Sequence, residues 1–204
     1  MALLALACAI VLAALGALVW QHTGPTPLEH RITSGVISRT ADPPQLDAYE
    51  PERIPFAIAI QPGEPFPFIA ALFGLLYLGS AAGSKRLMLV CAGGPAAAVF
   101  ATDYILKPFI HRTAHGGEGL AYPSGHSAAA AALAAALFVY LRHQHGVTTA
   151  RRALPLLALV PLAMGLSVVF LRWHFIFDVP GGFAIGVGSV MLAAALFLRP
   201  PVPR

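Results

Sequence analysis

Six apolar runs, each near the length that crosses a bilayer, dominate this chain and leave it few ways to fold. They cover Ala2–Trp20, Pro65–Gly83, Leu87–Leu106, Ser127–Leu141, Ala153–Leu171 and Val179–Leu198. A helix rises ~1.5 Å per residue, so runs of this size suit a hydrocarbon core ~30 Å thick. Only 11% of the 204 residues are charged, against about 25% in an ordinary soluble domain. Mean hydropathy is +0.73. A chain so short of charge cannot clothe a water-facing surface, and the pattern predicts an all-α integral membrane bundle of six helices. The fourth run is short and nearly all alanine. Small side chains let helices approach closely, which suits the bundle centre. The first run lacks a basic flank and a small-residue cleavage site, so it is read as a retained helix and not a signal peptide. No repeat or second domain is visible, and residues 1–204 form a single unit.

The net charge of +4 follows topology better than nucleic acid, because no basic run or basic–aromatic alternation exists. With both termini on one side, that side carries Lys85, Arg86, Arg142, Arg151, Arg152, Arg199 and Arg204. The other carries Arg31, Arg39 and Arg53, besides Lys107, Arg112 and Arg172, which are set aside for chemistry. Positive residues mark the cytoplasmic face, so both termini are predicted inside and the chemistry outside. The alanine, glycine, arginine and proline bias suggests a GC-rich bacterial genome and therefore a plasma membrane. Cys8 and Cys91 both fall in apolar runs and read as small hydrophobes.

Residues 21–64 form the one long extramembrane piece. Thr26-Pro27-Leu28-Glu29 fits a capping box with proline at the first helical position. Leu28, Ile32 and Val36 then recur every four residues, predicting a short interfacial helix. Pro43-Pro44 and Glu50-Pro51-Glu52 read as irregular loop.

Ionisable residues near a membrane are costly unless they serve a purpose there, and they gather at three span edges on the predicted outer side. The first cluster runs from Lys107 to Arg112, two permanent cations able to converge on a phosphate. Asp103, one turn earlier, is placed to pair with Lys107. The second is Pro123-Ser124-Gly125-His126, a tight turn opening the fourth helix. Its backbone N–H groups can face an anion, and its imidazole can donate a proton. In the third, His174 and Asp178 sit four residues apart, where the carboxylate can fix the ring tautomer, with Arg172 close by. Taken singly, each cluster also fits a plain structural role: snorkelling cations, a helix cap, a His–Asp pair.

Together the three segments resemble the type 2 phosphatidic acid phosphatase family. Its pattern is a Lys…Arg-Pro segment, Pro-Ser-Gly-His, and Ser-Arg…His…Asp. Residues Pro123 to His126 match outright, and so does the spacing of Ser167, His174 and Asp178. The resemblance implies that His174 is the nucleophile, Asp178 its orienting carboxylate and His126 the acid for the leaving group. Lys107, Arg112, Arg172 and the Ser124 and Gly125 backbone would hold the phosphoryl oxygens. It also implies no metal and no cofactor. Two departures stand out. Ala114-His115 occupies the family's Arg-Pro position, and Val168 replaces the arginine after Ser167.

The expectation is a metal-independent membrane phosphatase acting on a lipid phosphate or diphosphate through a phosphohistidine. Polyprenyl diphosphate, a polyprenyl phosphosugar, phosphatidic acid and phosphatidylglycerol phosphate all fit, with a lean toward a polyprenyl carrier because the chain is short. The displaced arginines keep a second reading open, a slow or inactive lipid-binding relative. A transporter would place its ionisable residues at midspan, and the haloperoxidases that share the constellation are soluble. His111 and His115 lack a third metal ligand, Glu118 has no assigned role, and His143 and His145 read as cytoplasmic loop. No signal bears on oligomeric state.

Overall fold

The structure is a computed structural model that describes residues 1–33, 45–117 and 119–198. Val36, Arg39, Pro43-Pro44, Glu118, Arg199 and Arg204, which entered the readings above, lie outside the described residues.

The described chain is all-α. Helix α1 covers Ala2–Leu18 and α2 covers Pro27–Thr33. A 3₁₀ turn at Pro51–Arg53 leads into α3 (Ile54–Ile60), and a second at Gln61–Gly63 leads into α4 (Pro65–Ala81). The long helices follow: α5 over Lys85–Ile110, α6 over Gly125–Phe170 and α7 over Asp178–Phe197. Three of these, α5 to α7, are long and apolar enough to cross a membrane, and the pair Pro51–Gly63 and Pro65–Ala81, bent by 46°, makes a fourth if counted as one span. Helix α1 has 17 apolar residues. The helices fall on the predicted runs, but length and hydropathy alone yield this smaller count of spans. In the most apolar windows of α5, α6 and α7 only 33%, 28% and 44% is buried inside the protein. Leu156, Leu166 and Leu196 are among the side chains left bare. Apolar surface of this extent needs lipid against it, and the chain is an integral membrane protein.

Two expectations about loops are corrected. Glu50-Pro51-Glu52 was expected to be irregular, but Pro51 starts a helical run, as proline does where its missing N–H is not needed. His143 and His145 are exposed as expected, yet they lie within α6. There the fourth and fifth apolar runs meet with no loop between them. Gly146, at φ 87° and ψ 167°, breaks the helix instead, in a region of backbone space open essentially to glycine alone. The chain doubles back at this point. Ala130 packs in one cluster with Met164 and Val168, and the ring of His126 lies 5.5 Å from that of Trp173, just past the other end.

The alanine run takes the central place predicted for it. Ala128, Ala132 and Ala136 are fully buried, and the first arm of α6 packs on α7. The approach is close enough that a Cβ on Gly182 would lie 2.5 Å from the carbonyl oxygen of Ser124. Helix α5 is distorted. It is π-helical over Leu89–Gly93 and Ala101–Leu106, shortly before Pro95 and Pro108 respectively. A proline cannot donate to the carbonyl four residues back, and a π-turn accommodates the mismatch.

Candidate active site

The three sequence clusters meet at one end of this bundle. Pro123 follows Tyr122 through a cis peptide. Ser124 then caps α6, its Oγ accepting from the N–H of Ser127 at 3.3 Å. Gly125 and His126 fill the first two helical positions, whose N–H groups have no acceptor within the helix. Ser124 is otherwise employed than expected. Its own N–H donates to the carbonyl of Asp178 at 3.0 Å, stitching the start of α6 to the start of α7. Ser124 is buried and acts as cap and staple, so the phosphate-facing role predicted for its backbone is not available to it.

Lys107 and Asp103 form the expected pair, 2.7 Å apart. They stand directly beside Gly125, where an added Cβ would lie 3.3 Å from Asp103 Oδ1 and 3.5 Å from Lys107 Nζ. Lysine, glycine and histidine thus line one open cleft of about 580 Å³. Its other walls are Glu64 and the apolar Pro65, Phe68, Ile69 and Val99. The imidazole of His126 reaches toward Glu64, Nε2 to Oε1 3.4 Å. His126 also fits tightly against the turn before α4, since a Cβ on Gly63 would meet its ring at 2.7 Å.

His174 is buried, with Nδ1 3.6 Å from Asp178 Oδ2. The carboxylate faces the ring but sits just beyond hydrogen-bond range, and Nδ1 has no hydrogen-bond partner among the described residues. His174 directly follows Trp173, whose ring lies 5.5 Å from that of His126. Asp178 is fully enclosed, its Oδ2 accepting from the N–H of Phe175 at 2.8 Å.

Matches to known proteins follow this geometry. A family model described as the PAP2 superfamily matches residues 95–200, just over half of the chain and all three clusters. The chain belongs to the PAP2 superfamily. Its fold is similar to the crystal structure of a transmembrane PAP2-type phosphatidylglycerolphosphate phosphatase from Bacillus subtilis. That likeness has a TM-score of 0.65 and 16% identity, and covers 94% of each chain. No curated protein gives a significant match.

Arg112 of this PAP2 protein is not where a phosphate ligand would be sought. Arg112 is completely buried, with Nη1 2.6 Å from Asp178 Oδ1 and Nη2 on Glu29. Its guanidinium lies 4.3 Å from the centre of the Phe175 ring. The predicted role of Arg112 as a phosphate ligand is therefore corrected: it binds the carboxylate behind the histidine. At the two positions where the family pattern carries arginine, Ala114 packs with Phe175 and Val168 is core. Val168 instead offers its carbonyl to the N–H groups of Trp173 and His174. Arg172 is half-buried with a left-handed backbone, φ 61°, two residues before His174.

Two acidic residues escaped the sequence reading. Glu64, at a span edge, satisfied the same criterion that singled out the other clusters. Glu29 was taken for a local cap, which it is: Thr26 N–H donates to it at 2.8 Å. Nothing in the local pattern marked it as buried beneath the site. His111 is exposed with a left-handed backbone, and the ring of His115 lies 3.9 Å from that of Phe175. Among the described residues no group of three or more His, Cys, Asp or Glu is placed to hold a metal.

Proposed function

We propose that this protein is a metal-independent membrane phosphatase that removes phosphate from a lipid phosphate or diphosphate through a phosphohistidine on His174. The observation that carries the reading is the cleft itself. Lys107, Gly125 and His126, with the carboxylates of Asp103 and Glu64, make its polar lining and Phe68, Ile69 and Val99 its apolar wall, and the Ser124–Asp178 backbone bond and the Trp173–His126 contact tie the 174–178 turn to its edge. A phosphate head with an apolar tail matches that division.

In the first step Nε2 of His174 attacks phosphorus while Nδ1 faces Asp178. The bond to the leaving oxygen breaks as His126 gives it a proton. Lys107 and the N–H groups of Gly125 and His126 offset the charge on the remaining phosphoryl oxygens. In the second step His126 takes a proton from water, which attacks the phosphohistidine and releases inorganic phosphate and free His174. Arg172 is assigned to the same phosphoryl group from its position two residues before His174, in place of the arginine that Val168 replaces. Polyprenyl phosphates, phosphatidic acid and phosphatidylglycerol phosphate, the type of substrate named for the Bacillus subtilis structure, all suit the cleft.

The test is phosphate release from a panel of these lipids by detergent-purified protein in excess EDTA. Sustained turnover with at least one lipid is expected. Turnover that vanishes with EDTA and returns with a divalent ion would remove the metal-free mechanism. Silence across the panel, from protein that still binds the lipids, would favour the inactive-relative reading. That second reading draws on the burial of Arg112 and on Val168.

The same reading gives six spans, with α6 crossing twice around Gly146, both termini cytoplasmic and the cleft outside. The doubled-back path of α6 supports it. In a Cys8→Ala, Cys91→Ala background, an impermeant thiol reagent should label Glu118→Cys in intact cells and leave His145→Cys untouched. The opposite pattern would invert the topology.

A further inference from the structure

The buried charges behind the histidine form a connected set that phosphate binding does not use. The guanidinium of Arg112 joins two carboxylates, Asp178 through Nη1 at 2.6 Å and Glu29 through Nη2. Glu29 also reaches the catalytic turn directly, its Oε1 accepting from the N–H of Phe177 at 3.0 Å. Its Oε2 takes the N–H of Thr26, and Arg112 Nη2 touches the carbonyl of Gly24 at 3.4 Å. All three charged side chains are at most 1% exposed. Each comes from a different part of the chain: α2, the segment after α5, and the start of α7.

A lone carboxylate at Asp178 could turn about its own axis. Here Oδ1 is held by Arg112 and Oδ2 by Phe175 N–H, which leaves Oδ2 on the side of His174 Nδ1. Glu29 fixes the far side of the guanidinium and the backbone of the 174–178 turn together. A forked guanidinium holds two carboxylates at once in a fixed geometry. A lysine ammonium is a point charge on a flexible stem and would not fix the orientation of either.

We propose that Glu29 and Arg112 form a buried clasp that fixes Asp178 against His174, making both positioning residues for phosphoryl transfer and leaving phosphate binding to the cleft. The proposal rests on the phosphatase reading above. In it, the extramembrane segment that carries α2 is part of the catalytic apparatus. A PAP2 chain lacking arginine at positions 114 and 168 uses its Arg112 to hold the nucleophile's partner.

Steady-state hydrolysis of phosphatidic acid in detergent micelles, with inorganic phosphate as competing inhibitor, separates the possibilities. Glu29→Gln keeps the size and most hydrogen bonds, so it is the variant least at risk of misfolding. Arg112→Lys keeps the charge and loses the fork. Both should lower kcat by ~10-fold or more, with KM and the inhibition constant for phosphate within about threefold of wild type, the pattern of a group needed only in the transition state. Ser84→Ala, which removes a helix cap far from the site, controls for general loss of stability and should leave kcat unchanged. If Glu29→Gln has wild-type kcat, the clasp is wrong; if Arg112→Lys raises KM and weakens phosphate inhibition while kcat holds, the clasp is wrong and Arg112 is a phosphate ligand. A wild-type protein without turnover removes both readings. Wild-type turnover with an indifferent Glu29→Gln removes only this one.

Discussion

Alanine in place of His174 is expected to reduce phosphate release by ~10³-fold or more, the scale seen when a covalent nucleophile is deleted. The loss should appear in kcat, because Lys107 and the Gly125–His126 backbone that grip the substrate remain in place. The variant should also stay folded. Asp178 keeps its hydrogen bonds to Arg112 and to Phe175 N–H, so losing the ring strands no buried charge. Detergent gel filtration and thermal unfolding would show that integrity. Wild-type protein given radiolabelled substrate and quenched in alkaline SDS should carry label that is stable to base and lost in acid, as a phosphoramidate is, while His174→Ala should carry none. Unchanged turnover in His174→Ala, whatever the substrate, would remove the covalent mechanism.

His126→Ala should cost ~10²- to 10⁴-fold with a lipid substrate, the usual worth of a placed general acid. A lipid alkoxide is a poor leaving group and needs its proton as the bond to phosphorus breaks. An aryl phosphate such as 4-nitrophenyl phosphate leaves without that help. With it, the first step of His126→Ala should run close to normal and produce a burst of nitrophenol, after which slow hydrolysis of the phosphohistidine limits turnover. His174→Ala should fail on both substrates alike. An equal loss for His126→Ala on lipid and aryl phosphates, with no burst, would mean that this imidazole binds phosphate and does not move a proton.

Both variants change groups that the sequence singled out before any coordinates, and the reason is local. Pro-Ser-Gly-His specifies its own turn and cap, and His174 and Asp178 lie one helical turn apart. The Lys107–Asp103 pair needs only the same four-residue spacing. The apolar runs were equally plain, because hydrocarbon tolerates little besides helices of sufficient length. Arg112 is the instructive failure. Spacing along the chain placed it five residues after Lys107, and the two cations were expected to converge. The chain leaves the helix between them, with His111 at φ 55°, and Arg112 turns into the protein and not toward the cleft. The π-turns in α5 add a second obstacle, since each rotates everything after it relative to a regular helix.

Sequence alone determined that this chain lives in a membrane, which three segments meet at the candidate site, and that α2 begins with a capping box, because burial in lipid, motif turns and caps are decided within a few residues. Tertiary structure decided that Glu29 and Arg112 lie beneath Asp178, that Glu64 faces His126, and that α6 folds back at Gly146 to bring His126 near Trp173 and His174. These are pairings between residues distant along the chain, made by close packing around glycines and by the need of buried charges for partners. No local pattern encodes them.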